Sequence, residues 1–143
     1  MTSVRLPLGT FVGARSGDKG GAANVGVWVI DPVEPAAVRL ARGDDIDLEP
    51  TAADVSLADA RYAWLLEQVT EAGVRALLPE SEGLPVEVHP LPNLRAVNIV
   101  IPGLLDRGVA ETTRVDPQAK GLGEHLRARL VDIPTGLLDG GTA

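Results

Sequence analysis

Cysteine is absent from this chain of 143 residues, and histidine occurs only at His89 and His125. These absences exclude disulfides, thiolate nucleophiles, iron–sulfur clusters and thiolate-bound zinc, and they leave too few imidazoles for a histidine-rich metal centre. No metal site is expected. Positive charge is also short, with 13 Lys and Arg against 20 Asp and Glu for a formal charge of −7. Nucleic acid is an unsuitable partner for that balance, because neutralising phosphates needs a basic face. Long apolar runs are missing too. The longest, from Ile99 towards Leu105, is broken by Pro102 and Gly103, far below the roughly 20 residues needed to span a bilayer. The opening Met-Thr-Ser-Val-Arg-Leu-Pro-Leu-Gly lacks the apolar core of a secretion signal. A cytoplasmic protein with no membrane partner is expected.

What is present suits one small domain, since 45% of the residues are hydrophobic and a chain of this size buries roughly 65 to 70% of its unfolded surface. Residues 6–12 and 24–30 read as β-strands, the second rich in β-branched and aromatic side chains. The glycine-rich stretch between them, 13–23, reads as a shaped loop too long for a tight hairpin. Residues 31–51 are punctuated by Pro32, Pro35 and Pro50. A helix is expected over 56–69, opened by Ser56 with Asp59 as its capping partner and Val55 stapling onto Ala60. A further helical turn or two should carry Val74, Leu77 and Leu78 up to Pro79. Val86 and Val88 alternate with polar neighbours as in a half-buried strand. Residues 94–101 are apolar at nearly every position, as in an inner strand covered on both faces or buried in an interface. A turn at 106–108 and a strand over 109–115 should follow. Asp116 and Pro117 then open a last helix over 117–131 with Leu122, Leu126 and Leu130 along one face.

That order implies an α+β fold: a two-layer sandwich with two helices on one face of a four- or five-stranded, mostly antiparallel sheet. Residues 1–134 form a single domain in this reading, and 135–143 a flexible tail. The double-sided apolar character of 94–101 exceeds what one helix layer can cover, so a homo-oligomer is expected.

Chemistry concentrates at the only two lysines, each followed by glycine: Asp18-Lys19-Gly20-Gly21 and Lys120-Gly121-Leu122-Gly123. A lysine beside glycines lets an ammonium and bare backbone N–H groups approach one anion together. Neither the nucleotide P-loop pattern nor Gly-x-Gly-x-x-Gly is present. Arg15, Ser16, Asp18, Lys19, Gly20, Gly21 and Asn24 from the first segment, with Lys120 and Gly121 from the second, are the candidate ligand-binding residues. The competing reading of the helix glycines is close packing of helix on sheet, since each costs roughly 1 kcal/mol relative to alanine.

Four ordered blocks carry a family pattern. They are Ala14-Arg-Ser-Gly-Asp-Lys-Gly-Gly-Ala-Ala-Asn-Val-Gly-Val-Trp28, Arg61-Tyr-Ala-Trp-Leu65, Leu91-Pro-Asn-Leu-Arg-Ala-Val-Asn98 with Gly103-Leu-Leu, and Asp116-Pro-Gln-Ala-Lys-Gly-Leu-Gly-Glu124. Together they resemble the ferredoxin-fold C-terminal domain of the AtuA-like (acyclic terpene utilisation) family, over residues 8–134 or so. The resemblance implies a ferredoxin-like fold and a link to the breakdown of branched terpenoid acyl-CoA compounds, with no reaction firmly assigned. In that family the domain commonly follows a larger one, so a separate larger AtuA-like protein is an expected partner here.

Fold does not give function, and the resemblance leaves catalysis and cofactor open, with a coenzyme A ester among the ligands it admits. An accessory or binding subunit that holds a small anionic ligand is the leading expectation. The alternatives are a small hydrolase or lyase acting on a phosphate or carboxylate ester, with Asp18 as acid or base, and a structural oligomerisation domain.

Overall fold

Residues 2–30, 43, 52–104 and 121–138 are described in the computed structural model of the protein. The centre of the fold is a hairpin that the sequence disguises. Strands β2 (Val12–Lys19) and β3 (Ala22–Val29) pair antiparallel from Val12↔Val29 to Lys19↔Ala22. Only Gly20 and Gly21 connect them, at φ +63° and +91°, the left-handed pair that a two-residue hairpin turn requires. The expected shaped loop over 13–23 is therefore strand on both sides of that turn. Its glycines misled because glycine is usually poor in strands, whereas here the Trp28 indole lies over Gly13, where any Cβ would collide with the ring.

The expected strand over 6–12 is also divided. β1 (Ser3–Pro7) ends in a 3-10 turn, Leu8–Thr10, before β2 begins. Leu8 is fully buried in that turn, and its N–H donates to the Arg129 carbonyl at 2.8 Å. The chain turns inward because Leu8 belongs to the core.

Helix α1 (Ala52–Gln68) starts a turn before Ser56, as helix-favouring Ala52 and Ala53 allow. Val55 is exposed rather than stapled, and Asp59 pairs with Arg95 at 2.8 Å instead of capping. Leu57, Arg61 and Leu65 recur every four residues on the buried face, with Ala58 and Tyr62 beside them. Helix α2 (Glu71–Leu77) follows where expected, its first turn capped by Thr70 Oγ1 accepting from the Gly73 N–H at 3.0 Å.

Strands β4 (Glu87–Leu91) and β5 (Ala96–Ile101) complete a four-stranded antiparallel sheet in the order β2-β3-β5-β4. β5 is an inner strand, as expected, but burial alternates along it. Val97, Ile99 and Ile101 are buried, whereas Ala96, Asn98 and Val100 are half-buried. Strand β3 alternates likewise, burying Ala23, Val25, Val27 and Val29. The described helices lie on one face of the sheet.

Helix α3 (Leu122–Ala128) lies on the same face as α1. Gly123 approaches Ala14 and Ser16, whose cross-strand partners are Val27 and Val25, and Leu65, Leu122 and Leu126 join these valines in one core. α3 does not continue to residue 131. Arg129 is extended, and Leu130–Pro134 forms β6, pairing antiparallel with β1 from Pro7↔Leu130 to Ser3↔Pro134. The four-residue leucine spacing suggested helix, but Val131 and Ile133 carry the period of two and are buried, while Leu130 is 52% exposed. α3 is pinned to the edge of β2 by Arg127, whose Nε donates to the Val12 carbonyl at 2.8 Å.

After β6, residues Thr135–Leu137 form a 3-10 turn. Arg61 holds it: Nε donates to the Leu137 carbonyl at 2.8 Å, and the guanidinium sits 4.6 Å from the Phe11 ring centroid. Phe11 in turn meets Trp64 edge to face at 5.4 Å. Burial lowers the Arg61 pKa from its ordinary value through desolvation, and the carbonyl and the ring replace part of the lost hydration. The expected turn at 106–108, the strand over 109–115, the opening of the last helix at 117–120 and most of 31–51 lie outside the described residues.

Candidate functional site

Strand alternation divides the expected site. Ser16 is on the covered face, where its Oγ accepts from the Gly123 N–H at 2.8 Å. A Cβ at Gly123 would stand 3.2 Å from the Ala14 Cβ and 3.4 Å from Ser16 Oγ, so close helix-on-sheet packing explains that glycine. Asp18 Oδ1 accepts from the Gly21 N–H at 2.9 Å, clasping the turn as an Asx residue does. Ser16 and Asp18, two of the side chains offered for chemistry, thus bond the backbone, and the Gly21 N–H is taken up by Asp18. Gly20 remains exposed at the tip, with open space around its Cα.

Arg15 occupies the opposite face, bare of the described helices, where it is exposed and lies opposite Gly26. At about 3.3 Å per strand residue it lies roughly 13 Å back from Lys19, so it is not part of the hairpin tip. A shallow cavity of about 320 Å³ runs along the β2 edge beside it, lined by Ala14, Arg15, Ser16, Gly123 and Glu124. Lys19 ends β2, paired with Ala22. Gly121 precedes α3 in helical conformation, its carbonyl accepting from the His125 N–H at 3.0 Å. Lys120, and with it the convergence of the two lysines, lies outside the described residues. Asn24 belongs to the bare face opposite Gly17 and Val100, with its Oδ1 shielded from solvent and without a hydrogen-bond partner.

Sequence reading missed the bare face as a unit. Its registers align Gly13, Trp28, Ala96 and Leu91 across the four strands, then Arg15, Gly26, Asn98 and His89, then Gly17, Asn24, Val100 and Glu87. The signal was there in the alternation of 96–101, which was read as an inner strand covered on both faces or buried in an interface. His89 Nε2 lies 3.3 Å from Glu87 Oε1, and His125 is exposed on α3. Among the described residues no cluster of three or more His, Asp or Glu is placed to hold a metal ion. None of the described helices is long and apolar enough to cross a membrane.

An antiparallel sheet with the described helices on one face, and with Ser16 and Asp18 bonded to backbone near its glycine turn, defines a small α+β domain of ferredoxin-like type. The model of the AtuA ferredoxin-like domain matches residues 6–132, and the chain belongs to that family. No curated protein and no solved structure matches it.

Proposed function

We propose that this domain is an accessory, binding subunit in the breakdown of branched terpenoid acyl-CoA compounds, and that it holds an anionic group at the tip of the β2–β3 hairpin. The hairpin carries the reading: Asp18 clasps Gly21, while Lys19 and the exposed Gly20 stand at the end of a rigid ribbon. A fixed backbone beside a lysine favours a phosphate or carboxylate, because the donors need no reorganisation on binding. Lys120 and Gly121 are the proposed second half of the site. A coenzyme A ester is the proposed ligand class, the cytoplasm the proposed location, and a larger AtuA-like protein the proposed source of catalysis. The hydrolase alternative would need Asp18 as its acid or base, whereas Asp18 Oδ1 already accepts from the Gly21 N–H.

Thermal-shift and calorimetric titration with free coenzyme A, a branched acyl-CoA and inorganic phosphate tests the proposal. Coenzyme A should raise the melting temperature, Lys19→Ala and Lys120→Ala should each abolish most of the shift, and Arg15→Ala should leave it intact. Absence of any shift in the wild-type protein refutes anion binding here.

A further inference from the structure

We infer that the bare face of the β2-β3-β5-β4 sheet docks a second copy of this chain, the two sheets packing face to face about a two-fold axis parallel to the strands. The composition of the face first argues that something covers it. Trp28, Ala96, Val100 and Leu91 supply apolar area, Leu91 is 43% exposed, and Leu94 in the turn after β4 is 70% exposed. On the two inner strands this face has no ionisable residue: β3 presents Ala22, Asn24, Gly26 and Trp28, and β5 presents Ala96, Asn98 and Val100. A face of the sheet meant for water alone would alternate towards charge. Gly17 and Gly26 add no side chain and the Trp28 indole lies over Gly13, so two such faces can approach at the roughly 10 Å spacing of stacked sheets.

Charge placement selects a second copy and fixes the axis. Arg15 is on one edge strand, exposed and without an acidic partner among the described residues, while Glu87 and His89 are on the other edge strand. A two-fold axis along the strands exchanges the edges, so β2 of one copy lies over β4 of the other. Arg15 shares its row with His89 and is one row from Glu87. It therefore meets the Glu87 carboxylate of the second copy, and the pair forms twice. An axis across the strands would instead lay β2 over β2, and one running through the Arg15 row would stack Arg15 on Arg15. The surface is complementary to itself in one orientation, as an isologous interface must be. This inference stands apart from anion binding, which uses the hairpin tip.

Sedimentation velocity of the full chain at micromolar concentration is the test, with circular dichroism and melting temperature as folding controls. The wild type should sediment as a dimer. Arg15→Glu and Glu87→Arg, both at exposed positions, should each raise the dissociation constant by about tenfold or more, and the double reversal should restore the dimer. Val100→Lys, at the middle of the face, should give a monomer. A wild-type monomer overturns the inference, as does a dimer indifferent to both single reversals, or one that the double reversal fails to restore. A chain that is monomeric alone and assembles only with a larger AtuA-like protein gives the face to that partner and overturns self-association.

Discussion

Single positions show how much of this fold rests on exact shape. Gly13 lies beneath the Trp28 ring, and Gly13→Ala should destabilise the protein by about 2 to 4 kcal/mol, because the added methyl displaces the indole or bends the hairpin; urea unfolding measures it. Asn24 is the opposite case. Its Oδ1 is buried and unpaired, a condition that costs about 1 to 3 kcal/mol. Asn24→Val should be neutral or stabilising in the same assay, since valine suits a strand and leaves no orphan acceptor. Composition had marked the polar group of Arg15, Ser16, Asp18, Lys19 and Asn24 as one cluster. It could not show that neighbouring residues of a strand face opposite ways. A loop would have allowed them to converge, and the strand forbids it.

At the scale of elements, legibility followed the number of signals that agreed. Helix α2 had an apolar row and Pro79 as a stop, which agreed on where it ends, while the Thr70 cap that sets its start went unread. Strand β6 carried two periods at once, and the leucine spacing of four outweighed the Val131–Ile133 spacing of two because pairing with β1, more than a hundred residues away, is invisible to local pattern. The mutational contrast is direct: Leu130→Lys should alter stability by no more than about 0.5 kcal/mol, whereas Ile133→Ala should lower it by about 3 kcal/mol. A continuing helix would reverse that ranking. The turn after β6 depends on Arg61. Arg61→Ala frees the Leu137 carbonyl and removes the cation over Phe11, and should cost about 2 to 3 kcal/mol. Arg61→Lys should recover little of it, since an ammonium cannot stack flat on the ring while reaching the carbonyl. Limited proteolysis should cut both variants first near residue 138. The direction of the Arg61 shift also fixes a sign. A cation with a depressed folded pKa binds its proton less well than in the unfolded chain, so its contribution to stability rises with pH in a window just below the ordinary arginine value and is flat around neutrality.

For the whole molecule, the core is shared between the two sheets. Val131 and Ile133 from β6 belong to the same cluster as Val25 and Ile99 of the larger sheet and Leu65 of α1. Unfolding should therefore be a single transition. The two tryptophans lie on opposite sides of the sheet, Trp28 on the bare face and Trp64 in the core, so Trp28→Phe and Trp64→Phe isolate one reporter each. Fluorescence midpoints of each variant should coincide with those from its own circular dichroism, and a separate early transition would mean that the β1–β6 ribbon melts on its own. That ribbon also brings two distant parts of the chain together. Ser3 pairs with Pro134, and the hydroxyls of Thr2 and Thr135 lie 3.0 Å apart. A linker of a few residues from 135 to 2 could therefore close the backbone into a ring and let new termini be opened at an exposed turn such as Gly83.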